Sequence, residues 1–335
     1  MKILLIPKGY LGDTILATPL MVNLARRYPQ AEIWVLTTAH AAQLLVREEL
    51  LAGIITYERH GRDRGLGGVL GMARRLKAEG FDRVYAIQRS PRSAVLACLS
   101  RIPERIGFAN APLALLYTRR MPFPEEKHEV ERILGLLGRP RSGVAPEPVL
   151  KLTAPAPNEL DNGLRRVIPR AGTYAVLVPG SSWPTKMWHW QGYREVARHL
   201  MERGMPVVLD GAPEHRELNA RVGQGLAVIN LAGRSRVADA MYLIRHAALV
   251  VCNDSMALHL ASAFKVPCVA VFCATSPSNG FGPWRNRAVV VQHETLACRP
   301  CGRHGARRCP TGTQACYHDV DSKLVIQAVQ TLLAS

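Results

Sequence analysis

The chain has 335 residues, 48% of them apolar and 21% charged, which suits two ordinary globular domains and excludes a disordered protein. Lys and Arg number 43 against 26 Asp and Glu, a formal charge of +17, and a field of that sign attracts an anionic partner. No apolar run approaches the ~20 residues of a membrane-spanning helix, and the short Ile3–Ile6 run before Pro7 is too brief for a secretory leader, so a cytoplasmic location is expected.

Taken in chain order, short apolar runs alternate with helix-length amphipathic segments. The first half has strand patterns at 2–7, 32–37, 54–57 and 82–88, with helix patterns at 14–27, 39–47, 67–79, 92–99 and 128–137. Prolines then crowd residues 138–172, at 140, 146, 148, 155, 157 and 169, around one short helix-like stretch. The rhythm returns with strands at 174–178, 206–210, 227–231, 248–252 and 267–272, and helices at 190–203, 213–222, 237–246, 255–264 and 321–334.

Continuous Val, Ile and Leu strands separated by helices predict parallel sheets covered on both faces. Two such series predict an α/β protein with two Rossmann-like domains: residues 1–150, a linker over 151–172, a second domain over 173–320 and a last helix over 321–335. Ligands of such sheets bind beyond the carboxyl ends of the strands, so a cleft between the domains is the expected site. The arginine excess falls early, from Arg59 to Arg120, with little aromatic interleaving and no recognisable nucleic-acid module. An acidic lipid surface therefore ranks above nucleic acid as partner; a solvated arginine-rich face is the plain alternative.

Four motifs carry chemistry. KGYLGDTIL (8–16) sets Asp13 just after the first strand and a glycine turn, where a helix start usually receives anions. PGSSWPTKMW (179–188) follows a strand with small hydroxyl residues Ser181 and Ser182 and a lysine, Lys186, able to meet a diphosphate as a point charge. It is not the GxxxxGK[ST] phosphate loop. DGAPEH (210–215) offers Glu214 to a ribose or base, and equally fits an ordinary first-turn acid. NDSMALH (253–259) places Asp254 and Ser255 at a strand-to-helix switch with unsatisfied N–H groups, and His259 one turn further. Helix N-caps account as simply for Asp13 and Asp254, and core packing for His259.

The ordered set, GD, PGSS…K…W, GAPEH, NLAG (230–233) and NDS…H, resembles the ADP-heptose:lipopolysaccharide heptosyltransferase family, heptosyltransferase II type, over nearly the whole chain. The resemblance implies a GT-B architecture, with the acceptor on the first domain and the nucleotide-sugar on the second. It implies an inverting glycosyltransferase that needs no cofactor for catalysis and moves heptose from ADP-heptose to the lipopolysaccharide core at the inner face of the cytoplasmic membrane. By position, Asp13 matches the general base. Ser181, Ser182 and Lys186 match the groups that meet the donor phosphates, Lys186 also assisting departure. Glu214 matches the residue near the ribose, and Asp254, Ser255 and His259 the second phosphate-side loop. Met256 departs from the glycine usual after the Asp-Ser pair. A non-catalytic binding protein of the same fold, or a transferase for another ADP-, UDP- or GDP-sugar, is the competing reading.

Of eight cysteines, Cys98, Cys252, Cys268 and Cys273 read as core residues. Cys298, Cys301, Cys309 and Cys316 are clustered, and in a cytoplasmic chain four clustered thiolates suit a tetrahedral structural zinc. Disulfides, an iron–sulfur cluster or free thiols stay open alternatives.

Overall fold

The computed structural model describes residues 1–59, 61–139 and 145–334. Pro140 of the proline-rich break and Ser335 at the end of the last helix lie outside the described residues. The chain divides into two compact units, Met1–Thr153 and Ala154–Ser335.

The first unit runs β1 (Lys2–Ile6), α1 (Leu11–Arg27), β2 (Glu32–Thr37), α2 (Ala39–Ala42), β3 (Gly53–Thr56), α3 (Gly65–Glu79), β4 (Arg83–Ala86), α4 (Pro91–Leu99), β5 (Glu104–Phe108), β6 (Arg119–Met121) and α5 (Glu129–Leu134). Its six strands are all parallel in the order β3-β2-β1-β4-β5-β6, with Leu4 opposite Trp34 on one side and Val84 on the other. Ile3, Leu4 and Leu5 are fully buried, as a central strand with helices on both faces requires.

The second unit runs α6 (Asn162–Val167), β7 (Ala175–Val178), α7 (Trp190–Glu202), β8 (Val207–Leu209), α8 (Arg216–Gly223), β9 (Ile229–Asn230), α9 (Val237–Arg245), β10 (Leu249–Asn253), α10 (Met256–Phe264), β11 (Cys268–Phe272), β12 (Ala288–Gln292), α11 (Ala315–His318) and α12 (Ser322–Ala334). Its strand order is β12-β11-β10-β7-β8-β9, again all parallel. Counted from β7, this is the order of the first sheet. In each sheet the connections leave the first strand and its later neighbour in opposite directions, β1 beside β4 and β7 beside β10. Those two switch points leave a crevice at the carboxyl edge.

Three strands depart from the sequence pattern. β5 and β6 interrupt their apolar residues with Arg105, Gly107, Arg119 and Arg120; β6 is the edge strand, where side chains reach solvent, and β5 lies next to it. β12 is a valine run that the alternating rhythm passes over. The helix expected over 39–47 stops after Ala42, and that over 128–137 closes in a 3₁₀ turn at Gly135–Leu137.

Helix α1 continues through Pro19, which supplies no N–H for the Ile15 carbonyl. Thr18 repairs this: its hydroxyl donates to Ile15 O at 2.8 Å and accepts from the Lys151 N–H at 3.1 Å. The helix begins at Leu11 with Tyr10 as N-cap. Asp13 is therefore a first-turn residue, and its carboxylate does not cap the helix.

Candidate active site

Beyond β1, Gly9 has φ +81°, and a Cβ there would lie 3.2 Å from Thr38 Cγ2. The Thr38 hydroxyl donates to Gly9 O at 3.0 Å, so the glycine lets the loop close against the end of β2. This turn aims Lys8 back over the start of α1. Lys8 Nζ lies 2.8 Å from Asp13 Oδ1 and 2.7 Å from Glu129 Oε1. Lys8 also lines a depression at the carboxyl ends of β1, β2 and β4, shared with Tyr57, Arg59, Gln88 and Arg92. Arg92 packs its guanidinium over the Tyr57 ring, 5.6 Å from the centroid. A paired carboxylate beside a basic depression can take a proton from a bound hydroxyl, while the arginines hold an anion.

In the second unit, the segment after β7 turns through Pro179–Ser182 into a 3₁₀ turn, Pro184–Lys186. Lys186 is 9% exposed and its Nζ forms an ion pair with Asp254 Oδ2 at 2.7 Å. The Thr275 hydroxyl donates to the same oxygen at 2.8 Å. The fully buried Asn253 crosses the switch point, donating to Pro179 O at 2.7 Å and accepting from Trp188 N at 2.9 Å. The structure thus brings Lys186 and Asp254 together from opposite sides of the β7/β10 crevice. Ser181 is buried beside them in the chain, and Ser182 is exposed.

Ser255, not Asp254, is the N-cap of α10, and its buried hydroxyl has no partner among the described residues. Met256 is half-buried at the first helical position, and His259 is 4% exposed one turn on. Glu214 is exposed in the 3₁₀ turn Pro213–His215 before α8. The neighbouring His215 ring packs on Gly180, where a Cβ would come within 2.2 Å of its Nδ1, so the β7 and β8 loops meet through a glycine contact. At the end of β8, burial pushes the Asp210 carboxyl up to about 6, opposed by a hydrogen bond from Ser235.

The profile of glycosyltransferase family 9 (heptosyltransferase) matches residues 69–310. The chain belongs to glycosyltransferase family 9. Among relatives of this heptosyltransferase-family protein, lipopolysaccharide heptosyltransferase 2 of Salmonella typhimurium is 28% identical over 100% of this chain and 99% of its own length. Lipopolysaccharide heptosyltransferase 1 of Pseudomonas aeruginosa is also 28% identical, over 90% and 86%. In fold, the chain matches the Escherichia coli ADP-heptose heptosyltransferase II with a TM-score of 0.78, at 24% identity over 100% and 99% of the two chains. A family 9 glycosyltransferase of Veillonella parvula superposes with a TM-score of 0.84 at 20% identity, covering 99% and 97%. The α/β class with two parallel six-stranded sheets is that of these GT-B enzymes.

The late cysteines of this family 9 chain lie beside the Lys186 turn. Cys301, Cys309 and Cys316 line one cavity with Pro184, Thr185 and Tyr317. Thr185 Oγ1 donates to Ala306 O and accepts from Ala306 N, both at 2.8 Å, and Cys301 N donates to Ala274 O at 2.8 Å. Hydrogen bonds from the Thr311 hydroxyl and nearby backbone N–H groups bring the Cys309 thiol down to about 7, whereas burial pushes Cys316 up to about 11. Among the described residues, no group of three or more His, Cys, Asp or Glu is arranged to hold a metal ion. Of the other four cysteines, Cys252, Cys268 and Cys273 are fully buried, and Cys98 is half-buried on α4.

The sequence motifs overlooked Lys8, Glu129, Asn253 and Thr275. Asn253 stands inside the NDS motif and Lys8 inside KGYLGD, so both were within reach. Glu129 and Thr275 belong to no motif, and only the fold brings them to the site.

Proposed function

We propose that this protein transfers heptose from ADP-heptose to the inner core of lipopolysaccharide, with the acceptor on the first unit and the donor on the second. The observation that carries the reading is Asp13: a carboxylate held by Lys8 at the β1/β4 switch point of a heptosyltransferase-family chain. The acceptor oxygen attacks the anomeric carbon as its proton passes to Asp13. The bond from that carbon to the donor phosphate breaks with its electron pair on the phosphate oxygen, and configuration inverts. Lys186 and the N–H groups opening α10 meet the charge that develops there, so the step draws on no metal.

Ser181, Ser182 and Ser255 would contact the donor phosphates, and Glu214 the ribose. His259 would support the second phosphate-side loop from within α10. Asp254 is better suited to holding Lys186 in place than to touching phosphate, since two anions repel.

Asp13→Asn should lower kcat by roughly 10²–10⁴, the share of a positioned base. Stability should change by no more than about 1 kcal/mol, because Glu129 still pairs Lys8. A melting curve and a turnover number on the same variant check this; near-normal turnover would remove the base assignment. Lys186→Ala should lower kcat/KM for the donor roughly 10–100-fold, the worth of a hydrogen bond to a charged group. Its acceptor KM should hardly move, and a change confined to the acceptor would reverse the two units' roles.

The same reading places the protein in the cytoplasm, on the anionic inner face of the membrane. No helix among the described residues is long and apolar enough to cross a membrane. In the first unit, α3 packs on α4, and α4 on the turn Ala114–Leu116. This layer exposes Leu66 at 83% and Leu115 at 84%, and its α3 segment also exposes Arg62, Arg64, Arg74 and Arg75. Leucines among arginines suit a bilayer surface with anionic headgroups. Binding to anionic vesicles should fall steeply between low and high salt and weaken in Leu66→Ser/Leu115→Ser. Equal binding to neutral vesicles would overturn this placement.

A structural zinc on Cys298, Cys301, Cys309 and Cys316 belongs to the same proposal, supported by their closeness in the chain and the cavity that three of them share. The thiols are not drawn into a cage, so the ion would have to gather them. An iron-containing dodecameric glycosyltransferase of Escherichia coli H10407 has the same fold at a TM-score of 0.59 and 16% identity, covering 99% of this chain and 76% of its own. Elemental analysis after chelator-free purification should find about one zinc per chain, lost in Cys309→Ser. A stable, metal-free protein would rule the zinc out.

A further inference from the structure

Glu129 and Arg132 take no part in the transfer step, yet they are only 2% and 1% exposed. Arg132 donates from Nη1 to Glu129 Oε2 at 3.0 Å and from Nε to Pro124 O at 3.0 Å, and it also bonds Glu125 O. Its guanidinium lies over the Phe123 ring, 5.2 Å from the centroid. The other Glu129 oxygen accepts from Lys8 Nζ at 2.7 Å, and Lys8 in turn reaches Asp13 at 2.8 Å. Charges therefore alternate along one chain of contacts: Arg132, Glu129, Lys8, Asp13.

Stability alone is a poor reason for this arrangement. Burying an ion pair costs desolvation that its attraction often fails to recover. The start of α5 is nevertheless fixed with care. His128 Nδ1 accepts from Val130 N at 3.2 Å, while Glu131 accepts from His128 N at 3.3 Å. That capping holds Glu129 one residue into the helix, and α5 packs directly on α1, the helix that carries Asp13.

We infer that Glu129 is a positioning residue for the transfer reaction, holding Lys8 so that Asp13 is oriented toward the acceptor. A lysine is a point charge on a flexible stem and by itself fixes no geometry. With Asp13 as sole partner, the ammonium would follow the carboxylate rather than fix it. Glu129 holds it from the other side, accepting from Nζ at 2.7 Å. Lys8 is then pinned between two oxygens, and Asp13 keeps one ion-pair contact for aim, through Oδ1, and its other oxygen, Oδ2, for the acceptor proton.

The inference rests on Asp13 as base, and a double-mutant cycle separates the two claims. Glu129→Gln, which keeps the size and an acceptor oxygen, should lower kcat roughly tenfold, a part of the 10²–10⁴ that a positioned base supplies. The donor KM should stay unchanged. In the Asp13→Asn background the same substitution should cost nothing further, because the group it serves is gone. An additive loss, or wild-type turnover in Glu129→Gln alone, overturns the positioning role while leaving Asp13 as base. Near-normal turnover in Asp13→Asn overturns both. Should Glu129→Gln fold poorly for want of a partner to Arg132, Glu129→Gln/Arg132→Met removes the stranded charge. Restored stability with turnover still low supports the inference; restored turnover shows that the loss was structural.

Discussion

Every strand in both sheets runs parallel to its neighbours, and the site depends on that one constraint. Parallel strands collect all their carboxyl ends on one edge, and helices must return the chain to the other edge. Where successive connections depart to opposite faces, between β1 and β4 and again between β7 and β10, the loops part and leave backbone N–H groups and side chains uncovered. Lys8 and Asp13 follow β1, and Lys186 follows β7. Asp254 and Ser255 follow β10. The polar residues proposed to act thus stand at the one switch point of each sheet, where a polar group can lie outside the core.

Holding those residues still requires contacts that reach across the crevices. Asn253 does this in the second unit, bonding the backbone on both sides of the β7 segment through Pro179 and Trp188. Its burial is tolerated because both ends of the amide are satisfied. The cysteine-rich segment adds a further brace, since the paired hydrogen bonds between Thr185 and Ala306 tie it to the turn that carries Lys186.

The fold was largely legible from the sequence because central parallel strands are continuous apolar runs, as KILLI and AVLV are. Marginal strands escaped: ERIGF and RRM place charges where the pattern expects burial, and their pairing is decided by the sheet. Asp13 stood out because a carboxylate after a strand and glycine turn is electrostatically odd. Its partner Glu129 did not, since an acid in the first turn of a short helix is ordinary. The topology alone brings it to Lys8 from 121 residues away. Neither aspartate caps the helix beside it, for one reason. A carboxylate claimed by a lysine in space is not available to the helix end beside it in sequence.

The two units hold nearly the same ion pair in different surroundings. Lys8 meets Asp13 at 2.8 Å, and Lys186 meets Asp254 at 2.7 Å. The third group differs. Beside Lys8 it is a second carboxylate, Glu129, which shares the ammonium with Asp13 and is itself paired with Arg132. Beside Asp254 it is the neutral hydroxyl of Thr275, and the positive end of α10 lies next in the chain, so the surroundings of Lys186 favour an anion. On the proposed reading, the first unit receives a proton and the second receives negative charge, the division of labour of an inverting glycosyl transfer.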